Sequence, residues 1–251
     1  MKMNWWMVSL VMAAVIVGQT PAASAHMRDY LVNEGYYTAK KGEVEFELHT
    51  DYNMPEPDQD STHNIKQQYE LEYGLTNHLQ LAYYEVATWN RQNDFQRDSL
   101  KVETKYRFVE SGEWPVDLAL YAEYKNPNGR DETASDEMEG KLILAKNFGR
   151  WSAVFNWVME RKIGEHESWQ MEYTAGGGYI VNPKLRFNLE VKETLGDVHE
   201  FGIRRKAHEL QLIPSIGFNP TANSRVLIGP AIGLTHATDD LQIKSIVSVE
   251  F

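Results

Sequence analysis

From Glu43 to Tyr52 the chain alternates strictly. Val44, Phe46, Leu48, Thr50 and Tyr52 fall on one side, and Glu43, Glu45, Glu47, His49 and Asp51 on the other. Successive side chains of an extended strand point to opposite faces, so this segment is a ribbon with one apolar and one charged surface. The design recurs. Ile65, Tyr69, Leu71 and Tyr73 alternate with Lys66, Gln68, Glu70 and Glu72; Leu100 to Phe108 alternate with Lys101, Glu103, Lys105 and Arg107. Val116 to Tyr124, Trp151 to Met159, Trp169 to Tyr179, Leu185 to Val191, Val226 to Leu234 and Leu241 to Phe251 each carry one mainly apolar face. Three segments are less regular. Leu79, Leu81 and Tyr83 begin well, but Glu85 falls on the apolar face unless a bulge shifts the register there. Leu142 and Leu144 sit opposite Ile143 and Ala145, and the run Leu210 to Phe218 contains Pro214, which cannot donate to a ladder. Together these predict about twelve strands.

The connections alternate in length. Gly74–His78, Glu110–Pro115, Asn147–Arg150, Val181–Lys184 and Asn219–Ser224 are short and carry the Gly, Asn and Pro of tight turns. Between them lie longer polar stretches, such as Met54–Thr62, Asn126–Asp136 and Leu195–Lys206. One end of the sheet therefore holds turns and the other holds loops, and an even strand count returns both termini to the turn end.

The N-terminus follows another rule. Lys2 precedes an apolar run from Trp5 to Gly18, Pro21 breaks it, and Ala23-Ser24-Ala25 supplies small residues. This predicts a secretory signal peptide, residues 1–25, cleaved after Ala25; the run is short for a membrane anchor. Residues 26–42 have no clear period and are expected to form a periplasmic tail, a plug or a partial strand. The remainder, 43–251, is one domain.

Composition removes several function classes. The chain has no cysteine, which excludes a disulfide scaffold, a thiolate metal site and a Cys nucleophile. Its formal net charge of −11 disfavours nucleic acid as a partner. A sandwich also alternates, with its apolar face inward. Here, however, the strands run ten to twelve residues, and Tyr52, Tyr69, Tyr73, Tyr106, Trp151, Trp157 and Tyr179 would crowd a core about 10 Å thick. On the outside of a barrel they form interfacial girdles. The expected fold is all-β: a closed antiparallel up-and-down transmembrane β-barrel.

The segment Glu72-Tyr73-Gly74-Leu75-Thr76-Asn77-His78-Leu79-Gln80-Leu81 resembles the strand-turn-strand signature of Gram-negative outer-membrane barrels. The terminal Phe251, with apolar residues at alternate positions before it, resembles their assembly signal, although Ser245 interrupts it. The resemblance runs from about Glu43 onward and is nearest to the transporter-like barrels associated with aromatic-degradation pathways. It implies an outer-membrane location, contact with lipid and lipopolysaccharide, and recognition by the barrel-assembly machinery through the last strand.

The expected lumen-facing, pore-lining residues are Glu45, Glu47, Lys66, Glu70, Glu72, Lys101, Glu103, Lys105, Arg107, Glu123, Glu160, Glu172, Arg186, Glu190 and Lys192. Lys141, Arg225 and Glu250 belong to the same face. Glu70 and Glu72 are expected to pair with Lys66, Lys101 or Lys105. Surplus carboxylates favour cations, so the first functional reading is a small passive channel for polar or cationic solutes. The second is a structural or accessory barrel with an occluded lumen. The third, an outer-membrane lipid hydrolase, rests on His236 near Thr235 and Asp239, with no Ser beside it. No cofactor is implied. His199 with His208, or His166 between Glu165 and Glu167, lack metal-ligand spacing. Gly176, Gly178, Gly229, Ala231 and Gly233 thin the wall inside two strands: a channel could use that space, or bulky Arg and Glu from neighbouring strands fill it, or glycine eases the barrel's curvature, the latter two being the more ordinary readings.

Overall fold

The computed structural model describes residues 27–54, 63–90, 95–127, 135–164, 167–199 and 208–251, with only the backbone at 63, 64 and 90. The expected signal peptide, His166 and Glu165 lie outside the described residues. Twelve strands follow one another: β1 (Val44–Asn53), β2 (His63–Gly74), β3 (Leu79–Asn90), β4 (Phe95–Arg107), β5 (Asp117–Pro127) and β6 (Glu137–Phe148). The second half is β7 (Trp151–Lys162), β8 (Gln170–Asn182), β9 (Leu185–Asp197), β10 (Glu209–Thr221), β11 (Ser224–Gly233) and β12 (Leu241–Glu250). Each pairs antiparallel with its sequence neighbours, and β12 closes on β1, with Glu45 opposite Glu250 and Asn53 opposite Gln242.

Closure leaves no free edge, so each strand has a hydrogen-bonded neighbour on both sides. The apolar face of each strand looks outward: Leu71, Val102, Leu120, Leu189 and Ile228 are all about half exposed. Water would penalise such a continuous surface at roughly 25 cal/mol per Å²; lipid would not. Aromatic rings gather at both rims. At the turn end Trp151 stacks obliquely on Tyr179 with centroids 4.6 Å apart, and Tyr106 meets Phe108 at 5.3 Å. At the loop end Trp89 meets Phe95 at 5.2 Å. The β6–β7 turn is the two residues Gly149-Arg150, and Gly149 takes φ +66°, which a side chain would resist.

The three irregular segments resolve separately. In β3 the register slips, but after Glu85 rather than at it: Val86 faces Ser99 and Ala87 faces Arg97. Glu85 stays on the outer face near the loop end, where Arg97 Nε lies 2.6 Å from its carboxylate. In β10, Pro214 does occupy a central strand. The flanking pairs Leu212–Ile232 and Ile216–Ile228 hold one register, which sets Pro214 opposite Pro230 of β11. The two missing donors thus face each other. In β6 the inner Ile143 is fully buried although it points into the lumen, for a reason given below.

Outer-face packing yields a direct test. Val102, 53% exposed, lies near the middle of β4. V102R is expected to destabilise the barrel by about 2–4 kcal/mol, the range for Arg at a bilayer midplane. Reversible denaturant unfolding in lipid vesicles, followed by tryptophan emission, measures it; an unchanged midpoint would show that this face does not contact hydrocarbon.

Candidate functional site

Residues 27–43 run inside the barrel at the turn end. A peptide segment buried there brings donors and acceptors that must be satisfied. Glu190 of β9 does most of this: its carboxylate accepts the backbone N–H of Leu31 (2.8 Å), Val32 (2.9 Å) and Asn33 (3.0 Å) and the Asn33 side-chain amide (2.9 Å). Two strands away, Asn156 of β7 accepts the Glu34 N–H at 2.7 Å and returns a bond to the Glu34 carbonyl at 3.1 Å. Gln80 of β3 accepts the Ala39 N–H at 2.8 Å.

Two apolar clusters fix the same segment. Tyr30 and Tyr36 pack with Ala119, Tyr121, Ile143 and Val154 of β5–β7, and Leu31 packs with Ile213, Leu227, Ala231 and Ile246 of β10–β12. These wall residues point inward and are apolar because their neighbour is the segment, not water. That is why Ile143 of β6 and Ile213 of β10 are apolar on the inward face. Burial pushes the Tyr30 phenol up from its ordinary value; the ring also lies under Arg186, with the guanidinium carbon 5.1 Å from its centroid. Charge completes the attachment. Asp29 pairs with Arg186 and Arg225, Lys105 reaches Glu34 at 3.3 Å, and Arg28 contacts Glu34 and lies 3.4 Å from Glu47. Burial alone would discourage the Arg28 charge, but Glu47 and Glu70 around it hold the guanidinium protonated above its ordinary range.

Gly74 has a packing role beyond its turn. A Cβ there would stand 2.6 Å from the Ala39 carbonyl oxygen, so only glycine lets the segment cross the end of β2. The small residues of β8 behave as expected. At Gly176 the space goes to Asn33 and Glu190, and at Gly178 to Arg186, Ser152 and Asn188.

The registers reveal a feature that no single strand displays. Glu250 faces Glu45, Glu45 faces Glu72, and Glu72 faces Ala82, which faces Glu103. Glu103 then faces Glu123, Glu123 faces Glu139 and Glu139 faces Glu160. Strands tilt across a barrel axis, so this row of carboxylates climbs from the turn end at Glu250 and Glu45 to the loop end at Glu139 and Glu160. Ala82 alone interrupts it. In its upper half, lysines at adjacent wall positions compensate: Lys101 approaches Glu123 at 3.1 Å and Lys141 approaches Glu139 at 2.9 Å. In its lower half the compensating charges are Arg28 from the segment and Lys105.

By register, all fifteen expected lumen residues lie on inward positions. Those at the turn end (Glu45, Glu47, Glu70, Glu72, Glu103, Lys105, Arg107, Arg186 and Glu190) are buried. Toward the loop end Lys66 is exposed, and Lys101, Glu123, Glu160, Glu172 and Lys192 are half-buried. The expected pairing of Glu70 and Glu72 with wall lysines is corrected: Lys101 goes to Glu123 and Lys105 to Glu34, while Glu70 meets His49 Nε2 at 3.1 Å. Lys192 pairs with Glu172 at 2.9 Å, and Arg107 pairs with Glu110 at 2.6 Å. His208 bonds Glu193 at 2.6 Å rather than joining His199. Beside His236, the Thr235 hydroxyl is spent on the His208 carbonyl at 2.8 Å and on Thr238. Sequence reasoning missed Arg28, Asp29, Asn33 and Glu34, whose stretch has no period, and Asn156 and His49, which are uncharged or weakly charged. Below the segment a cavity of about 500 Å³ opens at the turn end, bordered by Tyr37, Arg107, Glu110, Arg186 and Arg225.

E190A would strand three backbone donors, each costing about 1–3 kcal/mol when left buried and unmade. Amide exchange at Leu31–Asn33 is expected to accelerate ten- to a hundredfold, while the strand amides keep their protection. Uniform loss of protection, or none, would contradict the role given to Glu190.

No family model matches the chain, and no curated protein matches it. Solved structures do. An outer-membrane channel of the COG4313 group from Pseudomonas putida F1 superposes with TM-score 0.59 at 13% identity, covering 88% of this chain and 100% of that one. The NanC porin gives 0.58 at 10% identity, covering 82% and 98%. The KdgM porin, solved in complex with disordered oligogalacturonate, gives 0.53 at 8% identity, covering 83% and 98%. At such identities the likeness carries the fold: this chain has the closed antiparallel barrel fold of the Gram-negative outer-membrane channels.

Proposed function

We propose that the protein is a passive outer-membrane channel for polar or cationic solutes, with its turn end toward the periplasm and residues 26–42 forming a plug there. The observation that carries this reading is the ascending row of lumen carboxylates. A file of acids along a water-accessible wall sets a field that attracts cations and repels anions. The inward-pointing pore-lining set, from Glu45 to Lys192, mixes signs, but Lys101, Lys105 and Lys192 are each engaged by a glutamate, and the acids remain in surplus. The similar solved structures are themselves described as channels and porins, which supports transport over catalysis. An N-terminal signal peptide would deliver the chain to the envelope. Phe251 is half exposed on the outer face, with its N–H bonded to the Val44 carbonyl at 2.9 Å, and would be the residue that the assembly machinery reads.

The reading as an accessory barrel with an occluded lumen has its own support in the Glu190 grip and the two apolar clusters, which seat the segment firmly. Planar-bilayer recording separates the two. The full chain is expected to conduct weakly or intermittently, E190A more often, both with a reversal potential favouring K⁺ over Cl⁻. Replacing Glu123 and Glu139 together by Gln is expected to lower that preference about two- to fivefold at low salt, where charge is least screened. Silence from folded full-length protein and from E190A alike would leave the accessory barrel standing.

A further inference from the structure

We propose that Glu70, Glu72 and Glu103 form a binding site for one Ca²⁺ ion, buried in the barrel wall beneath the N-terminal segment. Glu70 and Glu72 are alternate residues of β2 and face the lumen together; Glu103 of β4 reaches them over Ala82, whose small side chain leaves the gap open. One oxygen from each acid can be chosen so that all three lie within 4.8 Å of one another. Ligands of one Ca²⁺, at 2.3–2.6 Å from the ion, satisfy this spacing.

Three separate observations point to a ligand rather than to a self-contained acid cluster. First, the hydrogen bonds present use only one oxygen of two of the acids. Glu70 Oε2 faces His49, and Glu103 Oε2 accepts the Tyr84 hydroxyl at 2.5 Å. The other oxygens, Glu70 Oε1 and Glu103 Oε1, are buried and have no partner, and so is Oε1 of the neighbouring Glu45. A buried polar atom left unmade costs about 1–3 kcal/mol. Second, a void of about 20 Å³ reaches Glu72 of the triad and is bordered by Glu45, Glu47, Arg28 and Lys105 as well. It exceeds the 10–15 Å³ that one water requires, so a further oxygen ligand has a place. Third, Glu34, Glu45, Glu47, Glu70, Glu72 and Glu103 are buried together, and among the described residues the basic side chains that reach them are Arg28, Lys105 and His49. Neither Arg28 nor Lys105 takes the open oxygens: Arg28 lies 3.8 Å from the far oxygen of Glu70, and Lys105 is directed to Glu34.

The all-oxygen, carboxylate donor set suits a hard cation, and Ca²⁺ tolerates the irregular coordination that ligands from two strands would give. The second grouping, Glu47, His49 and Glu70, is less suited, because Arg28 Nη1 sits 3.4 Å from the Glu47 oxygen that would bind. The spacing of ligands along the sequence conceals the site, since Glu103 joins the β2 pair only through barrel register.

The test uses the refolded full chain in detergent, stripped with chelator and titrated with Tb³⁺ at neutral pH. Tyr84, in contact with Glu103, would sensitise the terbium emission. One Tb³⁺ per chain, displaced by micromolar to millimolar Ca²⁺, is expected. E72Q and E103Q should each weaken binding at least tenfold, and A82V, which fills the gap while keeping every charge, should weaken it too. E113Q, an exposed turn acid, should bind as the parent does. Equilibrium dialysis of the parent with ⁴⁵Ca²⁺ gives the stoichiometry independently of any variant. No saturable Ca²⁺ binding to the parent would overturn the proposal and leave protons as the cluster's only counter-charge. Equal binding by folded E72Q, E103Q and the parent would overturn it as well, placing the ion in the loops.

Discussion

Lipid offers a peptide group no hydrogen-bond partner, and the rest of the structure follows from that. A chain with alternating apolar residues can enter a bilayer only if its strands pair around a full circle, and here β12 returns to β1 to complete it. Twelve strands enclose more volume than wall side chains alone can fill. The interior therefore has room for water, charge or more chain, and this one holds both charge and chain. The same requirement then applies to the enclosed segment. Its amides, removed from bulk water, need acceptors from the wall, and Glu190, Asn156 and Gln80 supply them. The constraint that shapes the outside thus also dictates which polar residues stand on the inside.

What was legible in the sequence was whatever depended on a single strand. Alternation in Val44–Tyr52 or Trp151–Met159 reports which side chain points to lipid, and it needs no knowledge of neighbours. Strand number, turn positions and the inward set emerge from the same local rule. What depended on register was hidden. Glu72 and Glu103 stand 31 positions apart, and nothing in either strand says that Ala82 will separate them. The segment from Met27 was opaque for the opposite reason: it belongs to no sheet and so carries no period. Its signal was indirect. Ile143, Ile213 and Leu227 are apolar at inward positions, and each lies against the segment or the cluster it completes. Strands that look poorly polarised in a barrel sequence mark the places where the lumen is packed rather than wet.

The register slip in β3 makes a related point about charge on the outer face. Glu85 breaks the apolar pattern, and the sequence allows two remedies: shift the strand so that Glu85 turns inward, or leave it outside with a partner. The chain adopts the second. The slip falls one residue later, and Arg97 closes on Glu85 at 2.6 Å near the loop end. An ion pair at the rim sits where headgroups and water reach it and avoids the several kcal/mol that a midplane charge would cost.

The carboxylate row has a cost that the fold must offset. Like charges directly opposite on neighbouring strands repel, and this row sets them opposite at Glu250–Glu45, Glu45–Glu72, Glu103–Glu123 and Glu123–Glu139. In the upper barrel, lysines from the wall itself relieve the repulsion permanently. In the lower barrel, Lys105 is drawn to Glu34 on the segment, and Arg28 arrives with the segment. The segment is therefore also a counter-ion: Arg28 lies among Glu47 and Glu70, inward neighbours of the row, so the contacts that seat the chain inside the barrel also answer the acids of its wall.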